Sequence, residues 1–193
     1  MKFSRTMVAA ALSLAFSGAA LAQAGTVQRD ANQQQRIEQG LQSGSLNTRE
    51  AARLEGEESR VQRDQARAMQ DGQLSPAEKA LLSREQNRVS RDIYREKHDA
   101  QTGNPSSASS QRMQADVQRD INQQKRIEQG VQSGSLTTRE AGRLERGQAH
   151  DSRTQARAGA DGHVTAKEQR RMQNSENRQS NRIHREKHDA QHK

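Results

Sequence analysis

Cysteine and tryptophan are absent from the 193 residues, tyrosine occurs once, and phenylalanine and proline twice each. Without cysteine there is no disulfide framework, no thiol nucleophile and no thiolate-ligated zinc. Both phenylalanines, Phe3 and Phe16, fall in the first sixteen residues, so Tyr94 is the one aromatic of the ring-apolar class beyond them. Residues 23–193 hold nineteen Leu, Ile or Val, about 11% of 171. Chains below roughly 20% struggle to offset the entropy of ordering. A β-sandwich and an aromatic-walled enzyme pocket are both excluded on that composition.

The start of the chain has a different character. Lys2 and Arg5 precede an apolar run from Met7 to Phe16, and small residues follow as far as Ala20-Leu21-Ala22. This pattern predicts a Sec-type signal peptide over residues 1–22, cut near Ala22. No later stretch is apolar enough to span a bilayer. The expected location is the periplasm or the extracellular space, which removes genomic DNA as an ordinary partner.

The rest is one unit written twice. At an offset of 90 and without gaps, Val27–Gln101 and Val117–Gln191 agree at 43 of 75 positions. Apolar residues recur at helical spacing: Val27, Ala31, Ile37 and Leu41; Ala51, Leu54, Val61 and Ala68; Leu82, Val89 and Ile93. Three helices per unit follow, near 27–41, 48–69 and 76–98. Asn47 with Glu50, Ser75 with Glu78, Thr137 with Glu140 and Thr165 with Glu168 are spaced as capping boxes, and Pro76 stands at a first helical position. The expected architecture is all-α: two tandem three-helix hairpin or bundle repeats, partly coiled-coil-like, with a marginal core. Repeat 1 covers 23–101, the Ser/Gly/Pro-rich segment 102–113 reads as a flexible linker, and repeat 2 covers 114–193.

The copies have diverged in a directed way. Val61, Leu81, Val89 and Tyr94 are matched by Asp151, Arg171, Gln179 and His184, and Ala52 and Glu57 by Gly142 and Gly147. This reads as a loss of core and of helix propensity in the second copy. Residues 23–105 carry 13 basic and 13 acidic side chains, whereas 106–193 carry 17 and 11. The excess positive charge therefore belongs to copy 2, and Arg170, Arg171, Arg178, Arg182, Arg185 and Lys187 of its last helix form a candidate surface for an anionic polymer or protein. No aromatic is placed there to stack bases.

Two further patterns bear on metals. His184, His188 and His192 recur every four residues with Asp189 beside them, the spacing at which imidazoles share a helix face and clamp Cu²⁺, Zn²⁺ or Ni²⁺. Asp71–Glu78 and Asp161–Glu168 resemble the second half of an EF-hand loop, yet Arg67 and Met69, or Arg157 and Gly159, stand where the first half needs oxygen ligands. Calcium is therefore not expected as a cofactor. No phosphate loop, nucleophile elbow or H-E-x-x-H motif occurs, and no apolar pocket is expected in which a carboxylate pKa would rise. The chain is expected not to be an enzyme.

The string SGSLTTREAxRLE, followed by DGxxxxxE and closing on REKHDAQ, resembles a family of uncharacterised small exported proteobacterial helical-repeat proteins, over nearly the whole chain and in both copies. The resemblance implies export and a helical repeat, and it carries no activity. The LTxxQ signature of small helical periplasmic chaperones is absent. The resulting expectation is an exported, non-enzymatic helical protein that binds an anionic or amphipathic partner through charged helix faces, as a stress-protective or scaffold component. Transition-metal binding through the C-terminal histidines is the alternative, and a degenerate calcium module the second.

Overall fold

A computed structural model describes residues 17–189. Six helices account for most of them: α1 Ser17–Ser43, α2 Thr48–Ala68, α3 Pro76–Lys97, α4 Ala108–Gln132, α5 Thr138–Ala158 and α6 Ala166–Glu186. The fold is all-helical, as the periodicity predicts. Residues 1–16 of the expected signal peptide, and His192, lie outside the described residues.

The helix starts are where the sequence places them. Each of Asn47, Ser75, Thr137 and Thr165 accepts a hydrogen bond from the backbone N–H of the glutamate three residues on, and that glutamate's carboxylate accepts one from the cap's backbone N–H. These reciprocal bonds satisfy amides that a helix start leaves without partners. The turns between helices close on Gly44, Gly72, Gly134 and Gly162, all with positive φ, where a side chain would strain the backbone.

Every residue of the three predicted apolar stripes is buried. The packing partners differ from the expectation of two self-contained bundles. The closest helix pairs are α2 with α5 and α1 with α4, one from each copy, while α3 and α6 flank them. Two apolar clusters result, and both are mixed. One joins Ile37, Leu41, Leu54 and Ile93 to Met113, Val117, Ile121 and Met172. The other joins Ile127, Val131, Leu144 and Ile183 to Val27, Met69, Leu74 and Leu82. Because the start of each helix in one copy meets the end of its counterpart in the other, α1 and α4 run antiparallel, as do α2 and α5.

Small residues make the α2–α5 approach close enough. A Cβ built on Gly159 would lie 2.7 Å from Ala52 Cβ, and one on Gly142 would lie 2.8 Å from Met69 Cβ. Gly142 is therefore a packing requirement, and the helix propensity it forfeits, about 1 kcal/mol against alanine, is offset by room for Met69. Ser59 Oγ donates to Ala149 O at 2.7 Å across the same seam.

Reciprocal contacts tie the copies together. Arg49 Nη2 donates to Asp161 O at 2.9 Å, and Arg139 Nη2 donates to Asp71 O at 3.1 Å. Each DG turn is thus held by the arginine of the other copy's TRE motif. Arg53 pairs with Glu96, and Arg143 with Glu186 at 2.9 Å, fastening α3 to α2 and α6 to α5. The strings shared by both copies are in this way used up by the fold.

Segment 102–113 departs from a flexible linker. Gly103 N–H donates to Gly44 O at 2.8 Å, Ser107 caps α4, and α4 begins at Ala108, so Met113 is a fully buried core residue. Of the four divergent positions read as lost core, Val61 and Val89 are indeed buried, but Leu81 is 48% and Tyr94 61% exposed. Helical spacing alone does not say which edge of a stripe meets a neighbour.

Between the apolar clusters, α1 and α4 present polar residues to the interior. Gln34 Nε2 donates to Glu55 Oε2 at 3.0 Å, and its counterpart Gln124 to Glu145 at 3.2 Å. Gln86 Nε2 donates to Asp30 Oδ1, and Gln155 Nε2 to Asp120 Oδ2, both at 2.7 Å. Burial pushes these carboxyls up: Asp30 and Glu55 to about 7, and Glu58, Asp120 and Glu145 well above the carboxylate range. Raised carboxyls are therefore present after all, produced by tight helix packing and not by an apolar cavity.

Candidate anion-binding site

Between α5 and α6 lies a cavity of about 240 Å³, lined by Arg146, Gly147, His150, Asp151, Ser175, Arg178, Gln179 and Arg182. Arg146 and His150 are four residues apart on α5, and Arg178 and Arg182 four apart on α6, so each pair lies on one face of its helix. Arg171, Arg178, Arg182 and Arg185 share a stripe of α6, with spacings of seven, four and three residues. All four are exposed.

The cations around this cavity differ from the other arginines of the interior-facing surface. Arg119 reaches Glu176 at 3.2 Å, and Arg126 donates to Ser180 Oγ at 2.6 Å, so both guanidinium groups of the neighbouring cavity are engaged by protein groups. Among the described residues Arg146, Arg178 and Arg182 make no ion pair with a carboxylate and no side-chain hydrogen bond. The floor is Asp151, which accepts from Ser175 Oγ at 2.5 Å. Burial raises its carboxyl to about 6, against the lowering influence of the Ser175 hydroxyl and of His150, Arg178 and Arg182.

The matching positions of the first copy carry the opposite balance. Gly56, Glu57, Arg60, Val61, Glu85, Arg88, Val89 and Asp92 stand there, with two arginines against three acids. Burial and the Asp92 charge push the Glu57 carboxyl up, and Arg95 pairs with Asp92 at 2.5 Å. In copy 2 arginine replaces Gly56 and Asp92, while glycine and serine replace Glu57 and Glu85. Gly147 also keeps the cavity wall thin: a Cβ there would meet Gln179 Oε1 at 2.0 Å.

Of the six cations singled out in the sequence, the structure brings Arg178 and Arg182 to this cavity. Arg171 and Arg185 extend the same stripe outside it. Arg170 is exposed on a different face, about 100° round the helix. Lys187 is the partly buried C-cap of α6 on the far side. Sequence reasoning missed Arg146, His150 and Ser175. The signal was available in the copy-to-copy differences, but it spans two helices and becomes a site only once α5 and α6 are paired.

The histidine pattern is partly assembled. The His184 and His188 rings lie 4.3 Å apart, and His188 Nδ1 sits 2.7 Å from His184 O. Tyr94 and His98 stack at 4.1 Å in the same way, with His98 Nδ1 2.7 Å from Tyr94 O. The ring contact therefore forms equally well where only one partner is an imidazole. Asp189 is grouped with Glu140 and Glu186, as Asp99 is with Glu50 and Glu96, and neither group contains a histidine. Arg143 and Arg53 already sit on these acids.

The EF-hand-like segments are likewise occupied by local bonds. Asp71 Oδ1 accepts from Gln73 N at 2.9 Å, and Asp161 Oδ1 from His163 N at 2.8 Å, while Glu78 and Glu168 close their capping boxes. Comparison of the chain with protein-family models, with curated proteins and with solved structures finds no match.

Proposed function

We propose that this is an exported, non-enzymatic helical protein that binds an anionic partner through the α5–α6 face of its second copy, in a stress-protective or scaffold role. The observation that supports this reading most is the unpaired arginine stripe Arg171, Arg178, Arg182 and Arg185, joined from α5 by Arg146. An arginine that makes no direct ion pair keeps its N–H donors for an outside partner, although Arg178 and Arg182 also feel the Asp151 carboxyl on the cavity floor, and guanidinium suits phosphate, sulfate and carboxylate oxygens. The raised carboxyls Asp30, Glu55 and Glu58 are completely buried in the helix interior, while Asp151 and Glu176, also raised, each line a cavity.

Because the copies interlock, the test uses the full chain. Retention on a sulfated-polysaccharide matrix at rising salt is compared for the wild type, a variant with Arg171, Arg178, Arg182 and Arg185 all changed to Gln, and a control with the exposed Arg60, Arg84, Arg88 and Arg91 changed to Gln. The reading requires the first variant to elute at much lower salt than the control. Equal loss from both would remove it.

A further inference from the structure

The cavity between α5 and α6 has a size and charge that narrow the ligand class. We propose that Arg146, His150, Arg178 and Arg182 form a pocket for a compact tetrahedral oxyanion, a phosphomonoester or sulfate group, carried free in solution or on a larger molecule. This deepens, and rests on, the reading of the second copy as an anion-binding face.

The volume sets the scale. About 240 Å³ lies below the roughly 300–1,000 Å³ of sites that enclose a whole drug-sized ligand. One tetrahedral head group enters and the rest of the molecule stays outside. The donors match that head group: planar guanidinium forks bind phosphate oxygens in pairs, and here they approach from two helices. A flat polyanion binding by charge alone would use the continuous stripe and have no need of Arg146 or His150 on the neighbouring helix.

The comparison between copies provides independent support. Four substitutions in the lining, at positions 146, 147, 175 and 182, each remove an acid or add a cation, or do both, against two that run the other way, His150 for Arg60 and Asp151 for Val61. Meanwhile the residues that tie α5 to α6, such as Arg143 with Glu186, are the same in both copies. The scaffold is kept while the lining goes from two arginines against three acids to three arginines and a histidine against one. Ser175, in place of Glu85, donates to the one acid of the lining, Asp151, which stands where the first copy has Val61.

Inorganic sulfate and phosphate are titrated calorimetrically into the full chain at low ionic strength. Three proteins are compared: wild type, Arg178→Gln with Arg182→Gln, and Arg171→Gln with Arg185→Gln, which removes the same charge from the stripe outside the pocket. Circular dichroism at 222 nm verifies that each is folded. The pocket variant is expected to lose at least ten-fold in affinity and the control less than two-fold.

Equal losses in the two variants, or no saturable binding by the wild type, would overturn the pocket. The distributed anion-binding surface would still stand if matrix retention persisted, so the two readings fail separately. Co-sedimentation with vesicles of phosphatidic acid and of phosphatidylglycerol, at matched surface charge, identifies the source. Preference for phosphatidic acid that the pocket variant loses assigns a lipid-borne monoester, and retained titration without vesicle preference assigns a soluble one.

Discussion

Replacing Glu55 by glutamine should change how stability depends on pH more than it changes stability itself. Glu55 is completely buried and ordinarily would titrate near 4.5, but burial, opposed by the Gln34 hydrogen bond and the nearby Ser152 hydroxyl, raises it to about 7. Between those two pH values the folded protein holds a proton that the unfolded chain has released. Stability therefore falls as pH rises through this window, by at most ~1.4 kcal/mol per pH unit for one group, and is level on either side. Across the whole window Glu55 alone contributes about 3 kcal/mol, present at pH 4.5 and lost by pH 8. Asp30, also raised to about 7, and Glu176, raised to about 8, act in the same direction. Their mutual repulsion makes the total less than a simple sum. Urea unfolding followed by circular dichroism from pH 4.5 to 8.5, at constant ionic strength, measures the curve. The wild type should be markedly more stable at pH 5 than at pH 8. Glu55→Gln, which keeps the shape and the acceptor for Gln34, should flatten the curve by about 3 kcal/mol. A wild-type curve that is level or rises from pH 5 to 8 would refute the reasoning, as would a variant destabilised equally at both ends.

Other consequences are as direct. Sulfate affinity should increase as pH falls through about 6, as Asp151 takes up its proton, and Asp151→Asn should reduce that dependence. The charged groups around Asp151 are His150 on α5, Arg178, Arg182 and Glu176 on α6, and Asp120 on α4, and the variant separates its share from theirs. Gly159→Ala at the α2–α5 seam forces a methyl into Ala52 and Met113, and should cost about 1–3 kcal/mol by chemical denaturation. Leu54→Ala, fully buried in a mixed cluster, should cost about 2–5 kcal/mol. Arg49→Ala with Arg139→Ala, which removes the two exposed reciprocal bonds, should cost about 1 kcal/mol each or less in the same assay.

Local features were legible in the sequence because they depend on short-range chemistry. All four capping boxes form, and the apolar stripes are buried to the last residue. Partner choice was not legible. The stripe Ala51, Leu54, Val61 and Ala68 suits a neighbour from either copy, and what decides between them is the small-residue seam of Ala52, Gly142, Ala149 and Gly159, which helical periodicity does not register. The seam also explains how so few large apolar residues close a core: near contact between backbones takes the place of side-chain bulk. Met113 shows the same limit from the other side, since a polar, serine-rich neighbourhood hides a core residue. For the site, six cations were visible on one helix, but only two of them line the cavity, because the other wall comes from α5. The stripe is a property of one segment and the pocket a property of two.

The pairing of Met69 with Gly142, against Ala52 with Gly159, has a consequence for how such a molecule can change. In an assembly of two identical chains every substitution is entered at both related places, so a bulky residue needs room at both, and a gain of charge on one face is a gain on the other. Joined in a single polypeptide, the halves are released from that rule. One can keep a neutral exterior while the other becomes cationic, and a methionine on one side can be answered by a glycine across from it alone.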